Sequence, residues 1–255
     1  MELDGRVAVV TGGTRGVGAG IARAFLAAGA RVLVCARRPP DEPVREAGRT
    51  AEFTPLDLRD PAAVRAYVDG AAARHGGLDV LVNNAGGTPY RLLAEADAER
   101  HARVLELNLT APLTVSLAAY PYLRDSGHGA VVMVGSVSGG RASPGAAAYG
   151  AAKAGLESLA RSMAVEWAPE VRVNTVVPGM VATERSALHY GDARGVAAVA
   201  RTVPLGRLAE PSDIGAAAVF LASDRAAYVS GASLLVHGGG ERPAYLTAST
   251  AGKDR

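Results

Sequence analysis

The sequence predicts an α/β fold, a doubly wound, seven-stranded parallel sheet with helices on both faces. Three observations predict it. Short apolar runs alternate with helical stretches along the chain, the pattern of strands joined by crossover helices. The runs are apolar at consecutive positions, as in Val32-Leu-Val-Cys35, which suits strands covered on both faces. The first run, Val7 to Val10, breaks into Thr11-Gly12-Gly13-Thr14-Arg15-Gly16-Val17-Gly18 and then a helix read from Ala19 to Ala28. A strand, a glycine turn and a helix in that order let backbone N–H groups and a helix N-terminus hold the phosphates of a dinucleotide. The spacing is G-x-x-x-G-x-G rather than G-x-G-x-x-G. Taken alone it also fits a merely structural turn.

The remaining elements follow in order. Arg31 to Ala36 is the second strand, ended by Arg37-Arg38-Pro39-Pro40, and residues 41–49 carry no clear pattern. Glu52 to Leu56 is the third, with Pro55 favouring a sheet edge. Asp60-Pro61 opens a helix to about His75 as N-cap and N1. Leu78 to Val82 is the fourth strand, closed by Asn83-Asn84-Ala85-Gly86-Gly87. Residues 97–124 read as helical, with a kink or boundary at Pro112. Ala130 to Val134 is the fifth strand, ending at Gly135-Ser136, and a small-residue loop leads to a helix from Tyr149 to Trp167. Arg172 to Val177 is the sixth, ending at Pro178-Gly179. A short helix near 193–202, a helix from Pro211 to Ala222 and a seventh strand, Ser233 to Val236, complete the pattern. With no repeat or linker, residues 1–255 read as one domain, with 241–255 as a disordered tail.

Composition narrows the function. The chain has 255 residues, 49% of them apolar and 20% charged, which supports a large core. Lys plus Arg number 27 against 25 Asp plus Glu, so no basic excess points to nucleic acid. The single cysteine, Cys35, lies inside a strand and is expected to be buried and inert. No signal-peptide pattern or long apolar run is visible, so a cytoplasmic protein without a membrane anchor is expected. The five histidines lack ligand spacing, and no metal site is expected.

Ligands of such sheets bind beyond the carboxyl ends of the strands. That rule gathers Gly12 to Gly18, Ala36-Arg37, Asp57, Asn83 to Gly86, Ser136 and Pro178-Gly179 along one edge. Each has a plain structural alternative: a turn for Asn83 and Asn84, a strand-end hydroxyl for Ser136, a packing pair for Tyr149 and Lys153. In conjunction they resemble the short-chain dehydrogenase/reductase family over residues 4–240. The motifs that carry the resemblance are Thr11-Gly-x-x-x-Gly16-x-Gly18, Asp57, Asn83-Asn-Ala-Gly86, Asn108, Ser136, Tyr149-x-x-x-Lys153 and Pro178-Gly179 with Thr183.

The resemblance implies a Rossmann-type fold and a ketone–alcohol oxidoreductase whose catalytic residues are Asn108, Ser136, Tyr149 and Lys153. Tyr149 would exchange a proton with the substrate oxygen, and Lys153 would lower the phenol's pKa with its positive charge. Ser136 would orient the substrate oxygen, and Asn108 would hold a water that links Lys153 to solvent. The implied cofactor site comprises Gly12, Thr14, Arg15, Gly16, Val17, Gly18, Arg37, Arg38, Asp57, Leu58, Asn84, Ala85, Gly86, Tyr149, Lys153, Pro178, Gly179 and Thr183. NADP(H) is expected rather than NAD(H). The second strand ends in Ala36-Arg37-Arg38 instead of an acidic residue, and Arg15 adds a charge inside the turn.

The resemblance also implies a homo-oligomer, expected to be a tetramer, paired through helices 97–124 and 149–167 and through the last strand. The small residues Gly150, Ala151, Ala152 and Ala154 suit either that contact or packing on the chain's own sheet. Substrate is expected to touch 87–90, 139–145 and 181–201. The pattern is close to that of 3-oxoacyl-carrier-protein reductases, notably at Pro204-Leu-Gly-Arg-Leu208 and Leu221-Ala-Ser-Asp224. A free small ketone is nevertheless favoured, because Ser126-Gly-His-Gly129 lacks permanent positive charge and Ala168-Pro-Glu170 carries an acid. A catalytically silent NADP-binding sensor is the rival from another class. His237, where many relatives carry Asp or Asn, has no reading beyond a surface or end-of-strand role.

Overall fold

The computed structural model describes residues 1–250, apart from the side chain of Thr247. In chain order its elements are β1 (Val7–Thr11), α1 (Gly16–Ala27), β2 (Arg31–Ala36), β3 (Arg45–Glu46), β4 (Arg49–Thr50), β5 (Glu52–Pro55), α2 (Pro61–His75) and β6 (Val80–Asn83). Then come α3 (Ala98–Leu105), α4 (Ala111–Asp125), β7 (Gly129–Val134), α5 (Ala147–Glu166) and β8 (Val171–Pro178). Last are α6 (Ser186–Tyr190), α7 (Ala193–Ala200), α8 (Pro211–Ala222), β9 (Ser233–Val236) and α9 (Ala244–Ala248).

Seven strands pair in parallel in the order β5-β2-β1-β6-β7-β8-β9. The chain works outward from β1 to β5, then returns to the centre and works outward again through β6. The reversal between β1 and β6 opens a crevice at their carboxyl ends, where such sheets take ligands. Alternate residues of each strand enter different cores. Val7, Val9, Leu33 and Leu81 meet Val64 and Val68 of α2, Val115 and Leu123 of α4, and Leu156 of α5. Ala8, Val10 and Val34 meet Ile21 and Phe25 of α1 and Ile214 and Leu221 of α8. Burial of each large apolar side chain contributes about 1.5–3 kcal/mol, so the sheet is held from both faces. This is why the strands read as unbroken apolar runs.

Local chemistry fixes the boundaries. Asp60 caps α2 by accepting from the Ala62 and Ala63 N–H groups, with Pro61 in the first turn, as the sequence predicts. Pro55 lies on edge strand β5, where its missing N–H is tolerated. Three segments differ from expectation. Helix α1 starts at Gly16 rather than Ala19, so the glycine turn supplies its first turn. Residues 45–50 form a small hairpin, pairing Arg45 with Thr50 and Glu46 with Arg49. The expected disordered tail includes helix α9; residues 251–255 lie outside the described residues.

The stretch read as helix 97–124 is α3, a π-helical turn over Glu106–Thr110, and α4. Pro112 explains the turn. It has no N–H to bond the carbonyl of Asn108 four residues back, and its ring crowds that carbonyl. Ala111 bonds Glu106, five residues back, instead. No helix among the described residues is long and apolar enough to cross a membrane. Cys35 is buried, as the sequence predicts, and burial pushes its thiol pKa up to about 12.

Candidate active site

The crevice is built from two turns tied together. The Thr11 hydroxyl at the end of β1 accepts from the N–H groups of Asn84 and Ala85, each at 3.0 Å, and donates to Val82 O at 3.3 Å. The Asn84 amide donates back to Thr11 O at 2.9 Å and Gly12 O at 3.2 Å. Asn84 therefore braces the glycine turn from below. A Cβ at Gly12, where φ is +63°, would lie 2.9 Å from Ala85 Cα, and one at Gly18 would strike Gly12 O and the Asn84 amide. Only glycine fits both places. Arg15 is the N-cap of α1 and makes no side-chain cap, so the first-turn N–H groups have no side-chain partner. That uncapped terminus over a bare cradle fits a dinucleotide pyrophosphate. Thr183, on the loop after β8, lies over Gly16. The Thr183 N–H donates to Ser186 Oγ at 2.8 Å, which fixes the loop.

Several expected cofactor residues take more limited parts. The side chains of Leu58 and Val17 turn into the two cores, which leaves their backbones to face a ligand. Asp57 is gripped by Arg59, with Nη2 to Oδ2 at 2.6 Å and Nε to Oδ1 at 3.0 Å. These bonds, with Arg37 acting more weakly through its charge, hold the Asp57 carboxyl down at about 2. Arg37, Arg38 and Arg15 are exposed. Gly179 packs against the backbone of His237, and its N–H donates to Val236 O at 3.0 Å. His237 thus takes the end-of-strand role.

Ser136 lies just beyond β7, and its hydroxyl accepts from Ser138 N–H at 3.2 Å. Tyr149 and Lys153 are one turn apart on α5, with Lys153 Nζ 5.5 Å from the Tyr149 ring centre. Lys153 is 3% exposed, its Nζ donates to Val134 O at 2.8 Å, and burial draws its pKa down to about 8. Burial raises the Tyr149 pKa, and the Ser136 hydroxyl, through hydrogen bonding, works in the opposite direction. This corrects the expected order of effects. Lys153 points at a backbone carbonyl, and desolvation outweighs the one group that lowers the Tyr149 pKa.

Asn108 is fully buried on the π-helical turn. Its Oδ1 accepts from Gly87 N–H at 2.8 Å, and its Nδ2 donates to Gly87 O at 3.0 Å and Val104 O at 2.9 Å. A Cβ on Gly86 would lie 2.5 Å from Asn108 Oδ1 and 3.6 Å from Lys153 Nζ. Asn108 and Lys153 therefore flank Gly86, and the sequence-selected Asn108, Ser136, Tyr149 and Lys153 gather at one end of the crevice.

Sequence reasoning missed several supports. The motif shows Thr11 only as one of its members, although a hydroxyl at the end of a strand signals such a brace. Arg59, two residues after Asp57, carries the spacing of a local ion pair. Nothing in the sequence signals that Tyr90 packs on Gly145, that Arg91 N–H donates to Gly145 O at 2.8 Å, or that Arg141 pairs with Glu241 at 2.5 Å. These contacts join the expected substrate stretches 87–90 and 139–145 to each other and to the C-terminal segment.

A family model described as enoyl-(acyl carrier protein) reductase matches residues 12–241. The chain belongs to the short-chain dehydrogenase/reductase family. It is 41% identical over 240 residues to cis-4-hydroxycyclohexanecarboxylate dehydrogenase from Sinomonas cyclohexanicum, covering 92% of this chain and 96% of that protein. It is 36% identical over 242 residues to the 3-oxoacyl-[acyl-carrier-protein] reductase of Escherichia coli strain K12, covering 94% and 98%. Among solved structures, ligand-free aldohexose dehydrogenase from Thermoplasma acidophilum superposes with a TM-score of 0.87 at 28% identity, covering 98% of this chain and 96% of that one. As a short-chain dehydrogenase/reductase, the protein is an oxidoreductase acting on CH–OH groups, and its family implies a nicotinamide cofactor.

Proposed function

We propose that the protein interconverts a ketone and a secondary alcohol with NADP(H), with Tyr149 as the general acid and base. The observation that carries this reading is the convergence of Ser136, Tyr149 and Lys153 beside the glycine cradle. When bound, the nicotinamide supplies or accepts the hydride. The chain's own groups do the rest. The Ser136 hydroxyl holds the substrate oxygen against Tyr149 Oη. In reduction, Tyr149 gives its phenolic proton to the oxygen as alkoxide charge develops; in oxidation it takes that proton back. Its raised pKa keeps it protonated at neutral pH, ready to act as an acid. Lys153, with a pKa near 8, changes charge close to working pH and returns the proton from the side of Asn108. The cradle of Gly12, Gly16 and Gly18 would hold the pyrophosphate, with Thr14, Ala85, Gly86, Pro178, Gly179 and Thr183 around it. Arg15, Arg37 and Arg38 would read the 2′-phosphate.

A free ketone is the favoured substrate, and the 3-oxoacyl-carrier-protein relatives give the second reading. Docking of an acidic carrier needs unpaired cations. Here Arg124 pairs with Asp125 at 2.8 Å, and the Arg172 guanidinium donates to Leu221 O at 2.8 Å and Ser223 O at 3.1 Å. Glu170 is exposed beside them. The spacing of four between Tyr149 and Lys153 disfavours an enoyl reductase, despite the name of the matching family model. The test is NADPH oxidation with cyclic ketones, β-ketoesters and acetoacetyl carrier protein, run on the parent and Tyr149→Phe. Tyr149→Phe is expected to bind NADPH normally and to lose at least about a hundredfold in turnover. Near-normal turnover in the variant removes the assignment. A specificity constant far higher for the carrier-bound group, lost at high salt, favours the second reading.

A further inference from the structure

The crevice has an outer wall that the reaction does not account for. Arg141 lies on the loop between Ser136 and Tyr149, and its guanidinium bonds Glu241 Oε1 at 2.5 Å. Glu241 does not hang on a loose end. The N–H of Arg242, the next residue, donates to Thr202 O at 3.0 Å, and Leu205 N–H donates to Gly238 O at 3.1 Å. Two backbone bonds therefore present the carboxylate from a fixed position. Tyr190, at the end of α6, is half-buried, and both charges of the pair act on its phenol. The pair thus joins three segments that ring the carboxyl edge: the loop after β7, the loop after β8 and the segment after β9. Without Glu241, the loop that joins Ser136 to Tyr149 would carry an uncompensated guanidinium.

Building on the oxidoreductase reading above, we propose that Glu241 is a specificity-determining residue: by neutralising Arg141 on the wall of the substrate crevice, it selects uncharged ketones and alcohols against those bearing a carboxylate. Arg141 can pair with one carboxylate in bidentate fashion. Glu241 occupies it from within the chain at high effective concentration, so a substrate carboxylate meets a filled partner and a like charge.

The experiment compares 4-oxocyclohexanecarboxylate with its methyl ester in the parent, Glu241→Gln, Arg141→Gln and the double variant, under saturating NADPH. The expected result is a rise of roughly tenfold in the acid-to-ester ratio of kcat/KM for Glu241→Gln, a shift of about 1.4 kcal/mol. The rise should be absent in the double variant, with NADPH affinity unchanged throughout. An unchanged ratio in Glu241→Gln overturns the proposal. So does a parallel fall for both substrates, which would mark the pair as a structural brace alone. Calorimetry with cyclohexanecarboxylate separates this idea from the reading beneath it. If the parent reduces neither ketone, neither is its substrate and the comparison passes to binding. The proposal then stands only if the carboxylate binds Glu241→Gln and not the parent, and equal heats overturn it.

Discussion

Arg37 directly follows Ala36, which closes β2 where a site for an unphosphorylated ribose would set a carboxylate. Its charge reaches Asp57, just beyond the carboxyl end of the neighbouring strand. Arg37→Asp should lower NADPH affinity and shift the NADPH-to-NADH ratio of kcat/KM by at least about tenfold toward NADH. Equal kinetics with both cofactors in the parent would refute the preference. Lys153 gives a second test, through pH. Its folded pKa of about 8 lies below the unfolded value of 10.5. Below pH 8 both states carry the proton, and the folded state bears the burial penalty. Between about 8 and 10.5 the unfolded state holds more protons, so this group's contribution to stability rises with pH. Cys35 and Tyr149, whose pKa values are raised by burial, act the opposite way at alkaline pH. The readout is therefore the melting-temperature difference between the parent and Lys153→Met, which should move in favour of the parent from pH 7.5 to pH 10. A flat difference would show that Lys153 titrates normally.

Among the elements, the helical run from α3 to α4 is where sequence and structure diverge most usefully. Pro112 marks a boundary in the sequence, but which hydrogen bonds replace the lost one depends on three dimensions. The π-helical turn carries Asn108 inward, where it clasps Gly87 by two bonds and Val104 by one. Asn108→Ala would remove three part-buried hydrogen bonds, those to Gly87 N–H, Gly87 O and Val104 O, at a cost of about 1–3 kcal/mol in total. The expected outcome is a melting temperature lower by about 3–10 °C and a raised KM for the ketone, because the 87–90 loop is loosened. An unchanged melting temperature would show that water replaces the amide without loss. The same comparison explains what was legible. Strands were readable because both faces of the sheet are buried, and α2 because Asp60-Pro61 is a complete start signal. The sequence places the start of α1 three residues late because its first turn, Gly16-Val17-Gly18, is glycine-rich, and glycine signals turns locally. The four-residue hairpin ladder of β3 and β4 has no periodicity long enough to detect. The Arg141–Glu241 pair spans most of the catalytic half of the chain, a separation that local pattern does not encode.

Taken as a whole molecule, the chain leaves apolar side chains on two separate faces. One carries Leu117 of α4 and Val165 of α5, 53% and 80% exposed. The other carries Leu235 of β9 and Phe220 of α8, beside the edge of the sheet. The small residues of α5 divide between inside and outside: Gly150 and Ala152 are buried within the protomer, whereas Ala151 and Ala154 are exposed. Gly150 and Ala152 thus pack within the chain, and Ala151 and Ala154 lie on the outer side of the same helix. Exposed large apolar groups on a helix pair and on an edge strand suit two self-complementary contacts, each related by a two-fold axis. Two such axes close into a tetramer, so light scattering at micromolar concentration should give four times the chain mass of 25.9 kDa. A charge placed in one face should break that contact and spare the other, so Val165→Glu and Leu235→Glu should each leave a dimer and the double variant a monomer. A parent protein that runs as a monomer refutes the assembly. Single variants that remain tetrameric would show that these side chains are not part of it.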